Sequence, residues 1–171
     1  MLTAHRVREL FGLLNRELAR RGVRGEAYLA EGAVMCLVFR AREATKDIDA
    51  LLVPAAEPRA AAKTVGENEG LPEGWLNDAV KGFLSERGDF DVFEELSHLR
   101  VYVPHAGYLL AMKCLAMRLG EEFQDLHDIK TLIGALKLKT VAEAEAVLSR
   151  YYAADRYPAR ARYVLEELLA P

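Results

Sequence analysis

The 171-residue sequence has few of the residues that mark specialised protein classes. Its two cysteines, Cys36 and Cys114, lie in apolar stretches, which favours buried thiols in a reducing cytosol over a disulfide framework. No apolar run approaches the roughly 18 residues that suggest a membrane span. The N-terminus also has no secretory hydrophobic region. The sequence therefore predicts a cytoplasmic protein that is not associated with a membrane.

Common catalytic signatures are also missing. The sequence has no Gly-x-x-x-x-Gly-Lys phosphate loop, no Gly-x-Gly-x-x-Gly turn, no Cys-x-x-Cys pair and no His-Glu-x-x-His motif. It also shows no internal repeat and no low-complexity tract. Any chemistry must therefore depend on shorter patterns.

Charged residues are present in ordinary number but are unevenly distributed. They make up 29% of the chain beside 51% hydrophobic residues, a composition that argues against disorder. The net charge of -3 gives no sign of a dedicated nucleic-acid binder. Residues 1–24 nevertheless carry six arginines and two glutamates, whereas residues 57–98 carry ten acids and four bases. The basic start fits either a contact with phosphate or a solvated helix face.

The order of apolar patterns predicts an α+β fold. Strands and short helices are expected up to residue 104, forming a small mixed sheet flanked by helices, and a helical C-terminal region is expected over residues 105–171. The predicted elements are a helix between Thr3 and Gly22, a strand at Ala27–Ala30, a helix or buried strand at Ala33–Phe39, a strand at Asp47–Val53, a helix at Ala56–Val65, a loop or short helix at Trp75–Leu84, strands at Phe90–Leu96 and Leu99–Val103, and helices at Ala106–Leu119, Phe123–Leu136, Thr140–Tyr152 and Pro158–Leu169.

Asp47-Ile48-Asp49 is the strongest chemical pattern in the chain. Alternate residues of a strand project to the same face, so the two carboxylates would lie together with Cα atoms about 6.5–7 Å apart. Two neighbouring acids on an apolar strand repel one another, and Mg²⁺ would resolve that repulsion. The alternative is that one acid lies at a strand end while the other pairs with Lys46 or an arginine.

The surrounding residues extend this pattern. Ala30–Met35 contains a glycine turn after the first predicted strand, and Arg42–Asp49 leads into the second. This arrangement resembles the first motif of the DNA polymerase β-like nucleotidyltransferase superfamily. It is more closely similar to bacterial nucleotidyltransferase-like proteins related to the AbiEii toxin group, whose typical form is Arg-x-x-Thr-x-Asp-x-Asp.

The resemblance implies a nucleotide site. Gly32 and Ala33 would let backbone N–H groups approach the nucleotide phosphates, and Arg42 and Thr45 would belong to the same site. The two aspartates would be catalytic and would hold the metal.

The resemblance continues into the helical region. One predicted helix carries Lys113 and, five residues on, Arg118, as in that group's second motif. Asp125 and Asp128 open the next helix as Asp-x-x-Asp, as in its third motif. The resemblance implies that Lys113 and Arg118 neutralise charge on the phosphates, and that an aspartate positions Lys113.

Physical reasoning leaves two interpretations of Lys113 open. In so apolar a helix a lysine must reach water, lose its proton or meet an anion. In a helical hairpin it would pair with Asp125 or Asp128, beside the Asp47 and Asp49 site. It would then act either as a structural ion pair or as a contact for phosphate.

Two departures from the superfamily pattern favour an alternative function. Glu31 stands where the superfamily usually has a small residue, and its carboxylate would repel a triphosphate. The predicted strand Leu99–Val103 lacks the usual third carboxylate, for which only Asp89 and Asp91 are possible substitutes. A degenerate, non-catalytic binding or regulatory module is therefore the alternative to an enzyme.

A rival enzyme pattern uses four residues, one of which, Asp128, also belongs to the Asp-x-x-Asp motif. The order His98, His127-Asp128 and Asp155 copies that of metal phosphohydrolases. Their site is all-helical, however, whereas His98 lies between predicted strands.

The expected function is Mg²⁺-dependent transfer of a nucleotidyl group from an NTP to a hydroxyl acceptor. The resemblance implies that the acceptor is RNA, tRNA or a protein. It also implies a toxin–antitoxin or defence system, in which the protein would have a cognate antitoxin or toxin partner.

Overall fold

The computed structural model describes residues 1–118 and 124–170. Within those residues it contains seven α-helices, a five-stranded mixed sheet and a two-stranded sheet, which confirms the predicted α+β class. The chain divides into two compact units. The first comprises Met1–Gly82 and Phe90–Val103, and the second comprises Phe83–Asp89 and the residues from Pro104 onward.

Most elements belong to the first unit. Its helices are α1 (Ala4–Arg21), α2 (Glu31–Leu37) and α3 (Ala56–Asn68). The strands are β1 (Leu2–Thr3), β2 (Gly25–Ala30), β3 (Ala44–Thr45), β4 (Ile48–Val53), β5 (Leu76–Asn77), β6 (Phe90–Glu95) and β7 (Leu99–Pro104).

The five-stranded sheet has the order β5-β4-β2-β7-β6, while β1 pairs with β3. Strand β2 runs antiparallel to β4 and parallel to β7. Alternate residues of β4, beginning with Ile48 and Ala50, are buried, and α2 and α3 pack against β2 and β4. Asp49 and Leu51 between them are only partly buried. Asp49 therefore projects to the opposite face from the buried layer.

Helix α1 follows its sequence signals closely. The Thr3 side chain accepts a hydrogen bond from the Arg6 N–H at 3.2 Å, and Gly22 ends the helix in the left-handed conformation. Its apolar stripe is fully buried and contains Val7, Leu10, Phe11, Leu14 and Leu18. The ambiguous segment at Ala33–Phe39 forms helix α2, which is buried from Gly32 to Leu37.

The second unit is helical. Its helices are α4 (Ala106–Leu115), α5 (Asp125–Ala135), α6 (Val141–Ser149) and α7 (Ala159–Leu168). Helix α4 packs against α5 and α6, and α6 packs against α7. A capping box made by Thr140 and Glu143 begins α6.

Tyrosines explain why Phe83–Asp89 belongs to the second unit rather than to the predicted N-terminal region. The backbone N–H of Ser85 donates to the hydroxyl of Tyr108 at 2.8 Å, and the hydroxyl of Tyr152 donates to the carbonyl of Phe83. A β-carbon at Gly88 would lie 2.4 Å from the Tyr108 ring, so glycine is required there for this close packing.

None of the helices in the described parts of the chain is both long and apolar enough to cross a membrane.

Candidate nucleotide and metal site

The register of the sheet brings the Asp-x-Asp pair to the glycine turn. Asp49 lies directly opposite Ala30, the last residue of β2, and α2 begins at the next residue, Glu31. Asp47 precedes β4 by one residue, and both aspartates are partly exposed. The strand that carries the carboxylates therefore runs beside the turn.

Gly32 is required for close packing at this turn. A β-carbon at Gly32 would lie 2.6 Å from Thr45 Oγ1 and 2.9 Å from Arg42 Nη1, which is closer than van der Waals contact allows. The buried Thr45 hydroxyl in turn donates a hydrogen bond to the Asp47 carbonyl at 3.0 Å. These residues form the turn cluster, defined here as Gly32, Arg42, Thr45, Asp47 and Asp49.

Glu31 adopts a backbone conformation that favours glycine. Its φ is +55°, in the left-handed region, which costs a residue with a β-carbon about 1–2 kcal/mol. Ala33, the other predicted nucleotide residue of the turn, is fully buried in α2.

The donor set of the turn cluster fits Mg²⁺. Asp47 and Asp49 supply hard oxygen ligands, and Mg²⁺ typically combines one or two carboxylates with water and substrate phosphates. In the described ranges, no group of three or more histidines, cysteines, aspartates and glutamates could hold a metal ion. A metal at this position would therefore need ligands from the substrate.

The two possible substitutes for a third carboxylate lie elsewhere. Asp89 belongs to the second unit, where its Oδ2 accepts a hydrogen bond from the Tyr151 hydroxyl at 3.2 Å and lies 3.0 Å from His105 Nδ1. Asp91 is exposed on β6. Strand β7 carries no acidic residue.

The second unit contains an ion-pair cluster, defined here as the buried Lys113, Asp125 and Asp128 together with the exposed Arg118. Lys113 Nζ lies 3.2 Å from Asp125 Oδ1 and 2.9 Å from Asp128 Oδ2. Lys113 and the two aspartates are at most 3% exposed. The predicted pairing of Lys113 across a helical hairpin is therefore confirmed. The Arg118 side chain is 58% exposed, and its positive charge balances the excess negative charge of the three buried groups.

Arg118 reaches this cluster from outside the helix. Helix α4 ends at Leu115, before the predicted end at Leu119, and both Leu119 and Phe123 lie outside the described residues. The backbone N–H and Nε of Arg118 both donate to Asp125 Oδ2, at 2.9 and 3.2 Å. Burial alone would raise the pKa of Asp125, but Lys113 and Arg118 together hold that pKa below its usual value.

No protein-family model, curated protein or solved structure matches this chain.

The two groups of predicted site residues fall in different units. Gly32, Ala33, Arg42, Thr45, Asp47 and Asp49 lie in the first unit, and Lys113, Arg118, Asp125 and Asp128 lie in the second. Their joint action on one substrate stays a prediction.

The residues of the rival phosphohydrolase pattern are also divided between the units. His98 lies in the first unit, where its ring Nδ1 is 2.9 Å from Ser97 Oγ. Asp128 belongs to the ion-pair cluster, and His127 and Asp155 are exposed. No described contact supports a metal site made from these residues.

The arginines of the basic N-terminal segment differ in their surroundings. Arg6 pairs with Glu9 and Glu69, and Arg20 and Arg21 pair with Glu17. These three arginines carry half of the segment's six positive charges. Because glutamates pair with them, the solvated-face interpretation is favoured for these three. The others are Arg8, Arg16 and Arg24, all of them exposed.

Proposed function

We propose that this protein is a Mg²⁺-dependent nucleotidyltransferase that moves a nucleotidyl group from an NTP to a hydroxyl acceptor. The observation that carries the proposal is the register of β2 and β4, which pairs Asp49 with Ala30 immediately before the Glu31-Gly32 turn. Gly32 thereby joins one polar cluster with four residues that follow it by 10 to 17 positions in the sequence, Arg42, Thr45, Asp47 and Asp49.

Each residue of the turn cluster has a role in this proposal. Asp47 and Asp49 hold the metal and position the triphosphate. Thr45 fixes the backbone at Asp47 through its hydrogen bond, and Arg42 offers a guanidinium to a phosphate oxygen. Bound Mg²⁺ supplies charge stabilisation to the transferring phosphoryl group and a template that orients it. The chain therefore acts mainly through positioning and electrostatics.

Lys113 and Arg118 have a second proposed role as contacts for substrate phosphate. Their pairing with Asp125 and Asp128 supports the structural interpretation equally well. Substitutions of Lys113, Asp125 and Asp128 can separate the two roles.

RNA, tRNA and protein remain the proposed acceptor classes. The proposed biological setting is a cytoplasmic toxin–antitoxin or defence system with a cognate protein partner.

Calorimetric titration with ATP, CTP, GTP and UTP, with and without Mg²⁺, tests the site. We expect saturable, Mg²⁺-dependent binding of at least one nucleotide, and we expect Asp47→Asn and Asp49→Asn each to abolish it. Asp155→Asn is the matched control, because it makes the same substitution at an exposed position of the second unit. The absence of binding at millimolar nucleotide would refute the proposal.

The second candidate function is a non-catalytic nucleotide-binding or regulatory module. It is favoured by the lack of an acid on β7 and by the engagement of Asp89 with Tyr151 and His105. Incubation with labelled NTPs and total RNA or protein distinguishes the two candidates. Labelled product that requires both turn-cluster aspartates supports the enzyme, whereas Mg²⁺-dependent nucleotide binding without product supports the module.

A further inference from the structure

A long cleft lies in the first unit, between α3 and the segment from Leu71 to Asp78. Its volume is about 850 Å³, within the range of about 300–1,000 Å³ that is typical of small-molecule sites. Ala56 and Glu67, near the two ends of α3, both line it, so the cleft extends about 16 Å along that helix. This shape suits an extended ligand better than a compact one.

The floor of the cleft is apolar and held in place. Leu52, Trp75 and Leu76 line it and are buried. The indole Nε1 of Trp75 donates to the carbonyl of Ala62 at 3.0 Å. A β-carbon at Gly66 would lie 2.7 Å from the same nitrogen, so glycine at this position lets the indole lie directly on α3. The floor is therefore formed by the protein's own contacts before any ligand binds.

Four of the five charged side chains that line the cleft are paired with one another. Arg59 Nη2 lies 2.5 Å from Asp78 Oδ2, and Lys63 Nζ lies 4.0 Å from Glu67 Oε1. The fifth, Glu73, is exposed and forms no ion pair with any other residue that the structure describes. Its carboxylate is therefore the charged group of the cleft that a ligand could engage without breaking an existing pair.

A tight turn fixes the position of Glu73 relative to the floor. The N–H of Trp75 donates to the carbonyl of Pro72 at 3.2 Å, and Gly74 between them has a φ of +79°. Glycine is the usual residue where the third position of a turn has a positive φ. Because Glu73 and Trp75 belong to the same turn, the carboxylate and the apolar floor keep a fixed spacing.

We propose that this cleft binds one small amphiphilic cation, a molecule with an aliphatic chain and a positively charged head group. The chain lies along α3 over the apolar floor, and the head group meets the carboxylate of Glu73. Burial of the chain supplies most of the binding free energy, since apolar surface is removed from water. The carboxylate selects the charge of the head group.

The cleft is distinct from the site proposed for the NTP. Leu52 follows Ile48 and Ala50 on the buried side of β4, and Leu76 pairs with Ile48. Asp49 projects to the opposite face of the same strand. A ligand in the cleft and a nucleotide at the turn cluster would therefore lie on opposite faces of the sheet.

Fluorescence titration tests the cleft, because Trp75 is the sole tryptophan of the chain and reports directly on its own surroundings. The probes are n-octylammonium, 1-octanol and octanoate, which share one chain and differ in the charge of the head group. They are compared near neutral pH, below the concentrations at which they form micelles. We expect saturable binding of n-octylammonium, about twofold to fivefold tighter than that of 1-octanol, because an exposed carboxylate adds a modest contact. Octanoate should bind most weakly.

Two variants test the two parts of the ligand. Glu73→Gln should make n-octylammonium and 1-octanol bind equally, and Glu86→Gln, at an exposed position outside the cleft, should keep their difference. Ala60→Leu places a larger side chain in the cleft and should weaken all three probes roughly fivefold or more, because it takes the space of the chain. Its control is Ala146→Leu, the same substitution at an exposed position of α6.

Four results would overturn the proposal. They are the absence of saturable binding of n-octylammonium, a preference for 1-octanol or octanoate, a preference for the cation that survives Glu73→Gln, and equal weakening by Ala60→Leu and Ala146→Leu. Failure of this proposal is independent of the proposed function. Asp47→Asn/Asp49→Asn should retain binding of n-octylammonium, and Glu73→Gln should retain Mg²⁺-dependent binding of the NTP.

Discussion

The position of a β-carbon at Gly32 lies 2.6 Å from the hydroxyl oxygen of Thr45. That oxygen also donates to the carbonyl of Asp47, so a single hydroxyl joins the glycine turn to the strand that carries the two aspartates. The turn cluster is therefore sensitive to a change as small as one methyl group.

We expect Gly32→Ala to lower the free energy of unfolding by about 1–3 kcal/mol, because the methyl group overlaps Thr45. Urea denaturation measures this change. The control is Gly12→Ala in α1, where nothing lies within 4 Å of the new methyl group and alanine should stabilise the helix by up to about 1 kcal/mol. In the double variant Gly32→Ala/Thr45→Ala, the loss in unfolding free energy should be smaller than the sum of the losses in the two single variants. Strictly additive losses would argue against the contact between the two residues.

The positive φ of Glu31 gives a second prediction. Glu31→Gly should raise the free energy of unfolding by about 1 kcal/mol, because glycine adopts this conformation without strain. Glu67→Gly in α3 makes the same substitution in helical backbone and should lower it by about 1 kcal/mol. If both variants are destabilised equally, the Glu31 side chain stabilises the fold by more than the strain of its backbone destabilises it.

The ion-pair cluster gives a third prediction, on stability. Lys113→Met should lower the free energy of unfolding by about 3–5 kcal/mol, because it leaves two buried carboxylates without their lysine. Lys130→Met, at an exposed position of α5, is the control and should change it by less than about 0.5 kcal/mol. A small effect at Lys113 would mean that the aspartates take up protons or reach water.

The triple variant Lys113→Met/Asp125→Asn/Asp128→Asn separates the two roles of Lys113. Because no buried charge is left alone, most of the lost stability should return. If the triple variant recovers nucleotidyl transfer activity together with stability, the role of the cluster is structural. If it recovers stability but not activity, the result supports a phosphate contact by Lys113.

The lowered pKa of Asp125 gives a fourth prediction, on pH. A carboxyl group with a lowered pKa in the folded state stabilises the fold fully above its usual pKa of about 3.9 and loses that effect as pH falls further. The difference in unfolding free energy between the unaltered protein and Asp125→Asn should therefore be constant above about pH 5 and shrink below about pH 4. Urea denaturation across this range measures it, and a difference that grows towards acid pH would contradict the assignment.

Local signals in the sequence identified most of the regular structure. Thr3 and Gly22 bound α1, and the Thr140 capping box begins α6, because caps are satisfied by neighbouring residues. Segment Ala33–Phe39 could not be assigned from its pattern, since a short run that is buried on all sides shows neither a helical nor a strand period. Strands of two residues, such as β1, β3 and β5, are too short for any alternation to be visible.

Long-range contacts account for what the sequence could not show. The chain remains apolar through Met117, yet α4 ends at Leu115 and Arg118 donates to Asp125 from outside the helix. The motif spacing predicted that Gly32, Thr45 and the aspartates act together, but not that the Thr45 hydroxyl would fill the space beside Gly32.

The course of the chain through Phe83–Asp89 has a consequence for any attempt to divide the protein. The backbone leaves the first unit at Gly82, returns at Phe90 and leaves again at Pro104, so no single cut yields both units whole. A C-terminal fragment beginning at Pro104 would retain Tyr108 and Tyr152 but lack the segment that they bind. During synthesis on the ribosome, likewise, that segment is made well before its tyrosine partners and must wait for them to emerge.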